Sequence, residues 1–350
     1  MKAAVLTGIR KVEIQDLPSP VLQRATDVLV RVAMVGLCGS DIHYYREGRI
    51  GDQVVGYPFV VGHECTGVIE ATGNGVAKLK PRDRVVIDPA VICESCDQCQ
   101  EGRTNTCRNL LFLGTPGQLS GCLAEYVVIP GRNCCAIKEG MSFEEAVLVE
   151  PLSIAIHSFH LLGHFRPESM AVLGAGSIGL CVILVASAYG IRRIYATDKV
   201  EARVRAARRA GACWSGNPDG EDIIAEIARL EPKLPEAVFE CSGDPVALGQ
   251  AVDLLRPGGR LMILGIPAQD SVSFDIHKMR RKEITIHNVR RQRHCFEEAI
   301  SLVETKKVDV RFLVTHVFSL DQAAQAFDLA AGYRDGVLKA VVKTSYVHDE

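Results

Sequence analysis

The chain has 350 residues, with 40 Lys and Arg against 42 Asp and Glu and a formal net charge of −2. That length exceeds one ordinary hydrophobic core and predicts two domains. A charge this balanced creates no field to gather nucleic acid or an anionic membrane surface, so neither is expected as a partner.

The opening run Met1 to Leu6 meets Thr7 and Gly8 long before a signal-peptide core could form. The longest apolar stretch, Ile178 to Tyr189, is too short to cross a bilayer, and a cytoplasmic protein is expected. Thirteen cysteines, an odd number without a secretory signal, read as metal ligands and buried thiols rather than disulfides.

Short strands open the chain at Ala3 to Leu6, Lys11 to Glu13 and Asp27 to Met34, broken by Pro18 and Pro20. Further strands at Gly67 to Thr72, Arg84 to Ile87 and Ala124 to Ile129 make residues 1–150 a β-rich domain. Three segments in it carry ligand chemistry: Gly36 to His43 with Cys38, Gly62 to Gly67 with His63 and Glu64, and Leu148 to Pro151 with Glu150. Each alone also fits a bland role, as core, solvated turn or helix start.

Cys93, Cys96, Cys99 and Cys107 form C-x2-C-x2-C-x7-C in a loop that also holds Glu94, Asp97, Gly102 and Asn105. Four thiolates at this spacing close a tetrahedron around Zn²⁺ with no open position, so the metal here is structural. The flanks contain Glu94, Asp97 and Glu101 and no basic patch, which argues against a nucleic-acid-binding zinc ribbon.

After Glu150 the texture changes to alternating strands and helices, predicting a doubly wound parallel sheet over residues 151–290. Met170 to Leu173 reads as a strand, Gly174-Ala175-Gly176-Ser177-Ile178-Gly179 as G-x-G-x-x-G, and the run to Tyr189 as a helix. In such a unit Gly174 permits the tight turn, Gly176 lets backbone N–H groups of Ser177 and Ile178 approach a pyrophosphate, and Gly179 lets the helix pack on the sheet. Asp198 ends the next strand 19 residues after Gly179, where a carboxylate accepts from ribose hydroxyls and repels a 2′-phosphate. The reading is an NAD site, with Arg203 beside the adenine and Lys199 able to soften the discrimination. Residues 291–350, with a helix from Phe296, a strand at Val314 to Phe318 and a helix at Gln322 to Leu329, are expected to return to the first domain.

Taken together, in this order, these features resemble the zinc-dependent medium-chain dehydrogenases over almost the whole chain. The polyol branch, sorbitol and xylitol dehydrogenases, is most similar through Gly36-Leu37-Cys38-Gly39-Ser40-Asp41-Ile42-His43-Tyr44-Tyr45, Gly48 to Gly51 and Glu150 to His157. The resemblance implies an α/β fold, a GroES-like β-rich catalytic domain plus a Rossmann domain, and a homotetramer or dimer. It also implies a catalytic zinc on Cys38 and His63 with Glu64 or Glu150, hence two zinc ions per chain. One proton route would use Ser40 and His43, the other Glu150 through water; Ser40 also suits an N-cap for a helix beginning near Asp41. A zinc ion at such a site acidifies an alcohol, and the nicotinamide takes the hydride.

Tyr44 falls where the branch places a substrate-contacting tyrosine, and Arg291 where it has an arginine followed by tyrosine. Here Gln292 follows instead, within Arg290-Arg291-Gln292-Arg293. That much positive charge suits a carboxylate-bearing sugar acid such as an aldonate as well as a neutral polyol, and also suits a solvated turn or subunit contact. The expected activity is NAD-dependent oxidation of a secondary hydroxyl of a polyol to a ketose. Sugar-acid or threonine oxidation is the alternative within the class, and a zinc-free quinone reductase or non-catalytic relative is the alternative outside it.

Overall fold

A computed structural model of the protein describes residues 1–344; the last six residues of the returning segment, 345–350, lie outside the described residues. The chain divides into two compact units at Glu150 and Pro151, with Phe296–Lys306 and the segment from Val310 belonging to the first and Pro151–Cys295 with Lys307–Asp309 to the second.

The first unit is built on the strand Asp27–Gly36, whose Val-rich run is buried on both faces and suits the interior of a sheet. It is central in a seven-stranded sheet ordered Cys134–Ala136, Arg84–Ile87, Glu64–Thr72, Asp27–Gly36, Lys339–Lys343 and Val314–Ser319, with Tyr126–Pro130 also paired to it. The antiparallel register sets Gly36 opposite both Glu64 and Val341. A strand from the far end of the chain thereby lies beside the one that leads into Cys38.

The helix Gly39–Glu47 starts from Cys38, whose own N–H donates to the Asp41 carboxylate at 3.0 Å. Cys38 is therefore the N-cap, and Ser40 sits inside the first turn rather than at the cap it also suited. The acid three residues after the cap satisfies a backbone donor that the helix itself leaves open. On the returning helix Ala323–Ala331, Phe327 is fully buried and its ring lies 5.2 Å from that of Tyr45.

The second unit is a six-stranded parallel sheet ordered Trp214–Gly216, Arg193–Thr197, Ser169–Leu173, Ala237–Glu240, Arg260–Ile263 and Thr285–Asn288. It is the doubly wound sheet expected from the alternating pattern. The strand order reverses beside Ser169–Leu173, and ligands of such sheets bind at the carboxyl ends of the strands at that reversal. The helix Ser177–Ala188 is apolar all round because it is covered, with every residue from Gly179 to Ala186 buried.

Truncating Phe327 to Ala removes a buried ring from the first unit's core. A loss of about 3–5 kcal/mol is expected in chemical denaturation, and a variant as stable as the parent would show that the returning helix contributes little to that core.

Candidate functional site

Cys38, His63 and Glu64 come together although they leave the backbone at different places: one N-cap, one loop and the first residue of the strand Glu64–Thr72. A thiol sulfur, a ring nitrogen and a carboxylate oxygen from the three lie within 4.8 Å of one another. Sulfur, imidazole and carboxylate at this separation suit Zn²⁺ and leave a fourth position open. Glu150 stands outside this trio, in the opening turn of the helix Val149–Leu161, and is 3% exposed.

Asp41, which the sequence reading left without a role at the site, lies behind His63. Its Oδ1 is 3.5 Å from His63 Nδ1 and accepts from the Gly62 N–H at 3.2 Å, while Oδ2 receives the Cys38 N–H. A buried carboxylate on one ring nitrogen orients the ring and directs the other nitrogen, Nε2, toward the metal position. Burial works against charge on His63, but Asp41 and Cys38 outweigh it and hold its pKa well above the ordinary value. A metal ion replacing the proton shared by this ring and thiol would satisfy both.

Glu64 is gripped from the other side by Lys339. The ammonium lies 2.6 and 2.8 Å from the two carboxylate oxygens and donates to the Leu37 carbonyl at 3.1 Å, and both side chains are 1% exposed. Gly36 makes room for this arrangement, since a Cβ there would stand 2.2 Å from Glu64 Oε2. Burial pushes the Glu150 carboxyl up to about 7; Glu64 and Asp88 add to the rise, and His63 and Lys339 oppose it. The lone lysine in the apolar run Val337 to Val342 was the available sequence signal for Lys339.

The other residues proposed near the substrate are placed as follows. Ser40 and His43 lie on the helix Gly39–Glu47, both part-buried, and the His43 pKa is lowered by burial and then by Arg46. Tyr44 is 3% exposed in the core, with its hydroxyl donating to Gln53 Oε1 at 3.1 Å. Arg291 has a left-handed φ of 53°, and Gln292 beside it is buried and accepts the Cys295 N–H at 2.9 Å. The glutamine that stands in place of a tyrosine thus braces its own loop.

The second cluster is local. Sulfur atoms of Cys93, Cys96, Cys99 and Cys107 lie within 4.8 Å of one another. Backbone N–H groups of Cys93 and Arg108 point at the sulfurs of Cys107 and Cys96. The Ser95 N–H and hydroxyl pull Cys93 down to about 5, whereas burial and the neighbouring thiols push Cys99 up to about 12. Four sulfurs so close repel as thiolates unless a cation sits among them, which is the fit expected of a closed zinc site. The acids of the loop are engaged, Asp97 by Arg108 at 2.6 and 2.7 Å and Glu94 by Arg132.

In the second unit Gly174 has φ +94°, and a Cβ on Gly179 would stand 1.9 Å from the Gly174 carbonyl oxygen. The turn can therefore close only with glycine at both positions. Gly176 caps the helix Ser177–Ala188 without a side-chain acceptor, and the buried Ser177 hydroxyl has no hydrogen-bond partner among the described residues. Open N–H groups, a spare hydroxyl and the positive end of a helix fit a pyrophosphate. Asp198 accepts from the Ala175 N–H and the Val200 N–H, each at 2.8 Å, so it braces the turn and keeps lone pairs for a ribose. The Arg203 guanidinium lies 4.0 Å from Asp198 Oδ2, and a Cβ on Gly176 would stand 3.6 Å from its Nη1.

Replacing Lys339 by Met leaves the Glu64 carboxylate buried without its cation, and a loss of about 3–5 kcal/mol in stability is expected. Pairing that change with Glu64→Gln removes both charges and should restore much of the loss. Denaturation midpoints of the two variants test this; a single variant as stable as the parent would remove the ion pair from the account.

Known proteins resemble the chain in both of its parts. The alcohol dehydrogenase GroES-like domain family matches residues 24–139, and the zinc-binding dehydrogenase family matches residues 177–305. The chain is 36% identical over 343 residues to sorbitol dehydrogenase of Bacillus subtilis, covering 98% of this chain and 97% of that one. It is also 36% identical over 329 residues to D-xylulose reductase A of Aspergillus oryzae, covering 92% and 91%. A crystal structure of an oxidoreductase/dehydrogenase of unknown specificity from Escherichia coli superposes with a TM-score of 0.92 at 31% identity, covering 98% of this chain and 99% of the other. With that likeness carried over nearly its whole length, the chain belongs to the zinc-dependent medium-chain dehydrogenases, in their polyol dehydrogenase branch.

Proposed function

We propose that the protein oxidises a secondary hydroxyl of a polyol to a ketose, with NAD as hydride acceptor and two zinc ions per chain. The observation that carries this reading is the trio Cys38, His63 and Glu64, three unlike donors converging with a position to spare. A zinc ion held there supplies the positive charge that makes an alcohol more acidic. Asp41 keeps His63 in the orientation this requires, and Lys339 keeps Glu64 from swinging away.

One proton route runs through Glu150, a buried carboxyl in the opening turn of the helix Val149–Leu161 that can accept a proton by way of water. Ser40 and His43 form the alternative route. The NAD preference rests on Asp198, whose carboxylate opposes a 2′-phosphate. The resemblance further supports a homo-oligomer, tetramer or dimer, working in the cytoplasm on a small molecule without nucleic acid or membrane. Among the described residues no helix is long and apolar enough to cross a membrane.

Metal analysis of the fully loaded protein should find two zinc ions per chain. Cys38→Ser should abolish turnover with the fold retained, whereas Cys96→Ser should chiefly lower stability, because a closed zinc site contributes folding energy outright. One zinc or fewer per chain would sink the two-site reading.

Substrate class is decided by following NAD reduction over polyols, aldonates and amino acids, with polyols expected to turn over best. Arg291→Gln then separates the finer readings. If Arg291 meets a hydroxyl, KM rises moderately; if it meets a carboxylate, a charged bidentate pair is lost and the penalty is larger and salt-sensitive. Small, equal effects on both substrates would place Arg291 away from the substrate.

A further inference from the structure

The carboxylate that disfavours NADP is followed directly by a lysine, and a cation beside a ribose site is what a 2′-phosphate seeks. In the structure that cation is already engaged. Lys199 Nζ lies 3.0 Å from Asp244 Oδ2. Lys199 follows the strand Arg193–Thr197 and Asp244 follows Ala237–Glu240; these two strands flank Ser169–Leu173, which ends in the glycine turn. The ion pair therefore joins the two loops on either side of that turn, at the carboxyl edge where a dinucleotide binds.

Asp244 is held for this task on every side. Its Oδ1 caps the helix Pro245–Leu254 by accepting the Val246 N–H at 2.9 Å, which leaves Oδ2 to face Lys199. Its own N–H donates to the Ser242 hydroxyl at 3.1 Å, and that hydroxyl donates to Glu240 Oε1 at 2.5 Å. Glu240 is fully buried, and the same oxygen accepts the Ser242 and Gly243 N–H groups at 2.7 and 2.8 Å. A buried carboxylate thus anchors the loop that presents the outer one. Asp244 does most to favour the charged form of Lys199, and Asp219 and Asp198 add to it.

We propose that Asp244 is a specificity-determining residue for the cofactor: it neutralises Lys199 and adds negative charge at the adenosine end, so that NADP is refused at two carboxylates rather than at Asp198 alone. The proposal rests on the NAD reading given above. It also makes Lys199 a latent 2′-phosphate ligand that Asp244 keeps occupied.

Asp244→Asn tests this cleanly, because asparagine is as good an N-cap as aspartate and only the charge is lost. Binding of NAD and NADP to the zinc-loaded protein is measured by calorimetry in the parent, in Asp244→Asn and in Asp244→Asn combined with Lys199→Met. The first variant should raise the affinity for NADP relative to NAD by about three- to tenfold, a range set by the partial exposure of the pair. The gain should shrink at high salt and disappear in the double variant, which a merely loosened loop would not reproduce. An unchanged ratio in Asp244→Asn, or a gain that survives loss of Lys199, overturns the proposal. A parent that already prefers NADP overturns the NAD reading instead, so the two failures are told apart. Asp244→Ser, which also keeps a capping oxygen, repeats the test if the asparagine variant does not fold.

Discussion

The buried pair between Lys339 and Glu64 is the constraint on which the first unit's chemistry depends. Two charges removed from water are tolerable only in good geometry with further hydrogen bonds, and Lys339 has both carboxylate oxygens and the Leu37 carbonyl within reach. That geometry exists only if the strand Lys339–Lys343 lies against Asp27–Gly36 and if position 36 has no side chain. The fold must close before the site exists. Once closed, Glu64 cannot retreat from Cys38 and His63, and its negative charge is partly answered before any metal arrives. A metal ion held by these three residues would then meet a more positive surrounding than two anionic ligands alone would give, which would suit a Lewis acid better than an inert cage.

The two cysteine-bearing sites of the first unit differ for the same reason. Cys93 to Cys107 gather on one short loop whose backbone N–H groups point at the sulfurs, so their closure needs almost nothing from the rest of the chain. Cys38, His63 and Glu64 come from a helix cap, a loop and a strand, and Asp41 and Lys339 orient them from two further directions. A set of four like donors is filled by one ion and sealed; a set of three unlike donors held from outside keeps a place for chemistry.

At the nucleotide end, carboxylates act on backbone before they act on ligand. Asp198 holds the Ala175 N–H, and Glu240 holds Ser242 and Gly243. Each stiffens a loop at the carboxyl edge of the parallel sheet, where a dinucleotide would bind. Preorganisation of this kind lowers the ordering cost that binding must meet.

What the sequence by itself determined was whatever is written within a few tens of residues. The cysteine loop, the strand, glycine turn, helix and strand ending at Asp198, and the change of texture at Glu150 are all local, because turn geometry, helix period and thiol spacing act between near neighbours. Resemblance to the family extended that reading to Cys38, His63 and Glu64. Ser40 also suited a cap because Ser-Asp and Cys-Gly-Ser-Asp are equally plausible helix starts; only the direction of the Cys38 N–H toward Asp41 decides. Lys339 was missed because its partner lies 275 residues away, and Lys199 was read as a free charge because nothing in its neighbourhood names Asp244. Tertiary structure alone decided those pairings: a charge finds its partner through strand order and register, and these are settled by burying the whole sheet, not by the residues on either side of the charge.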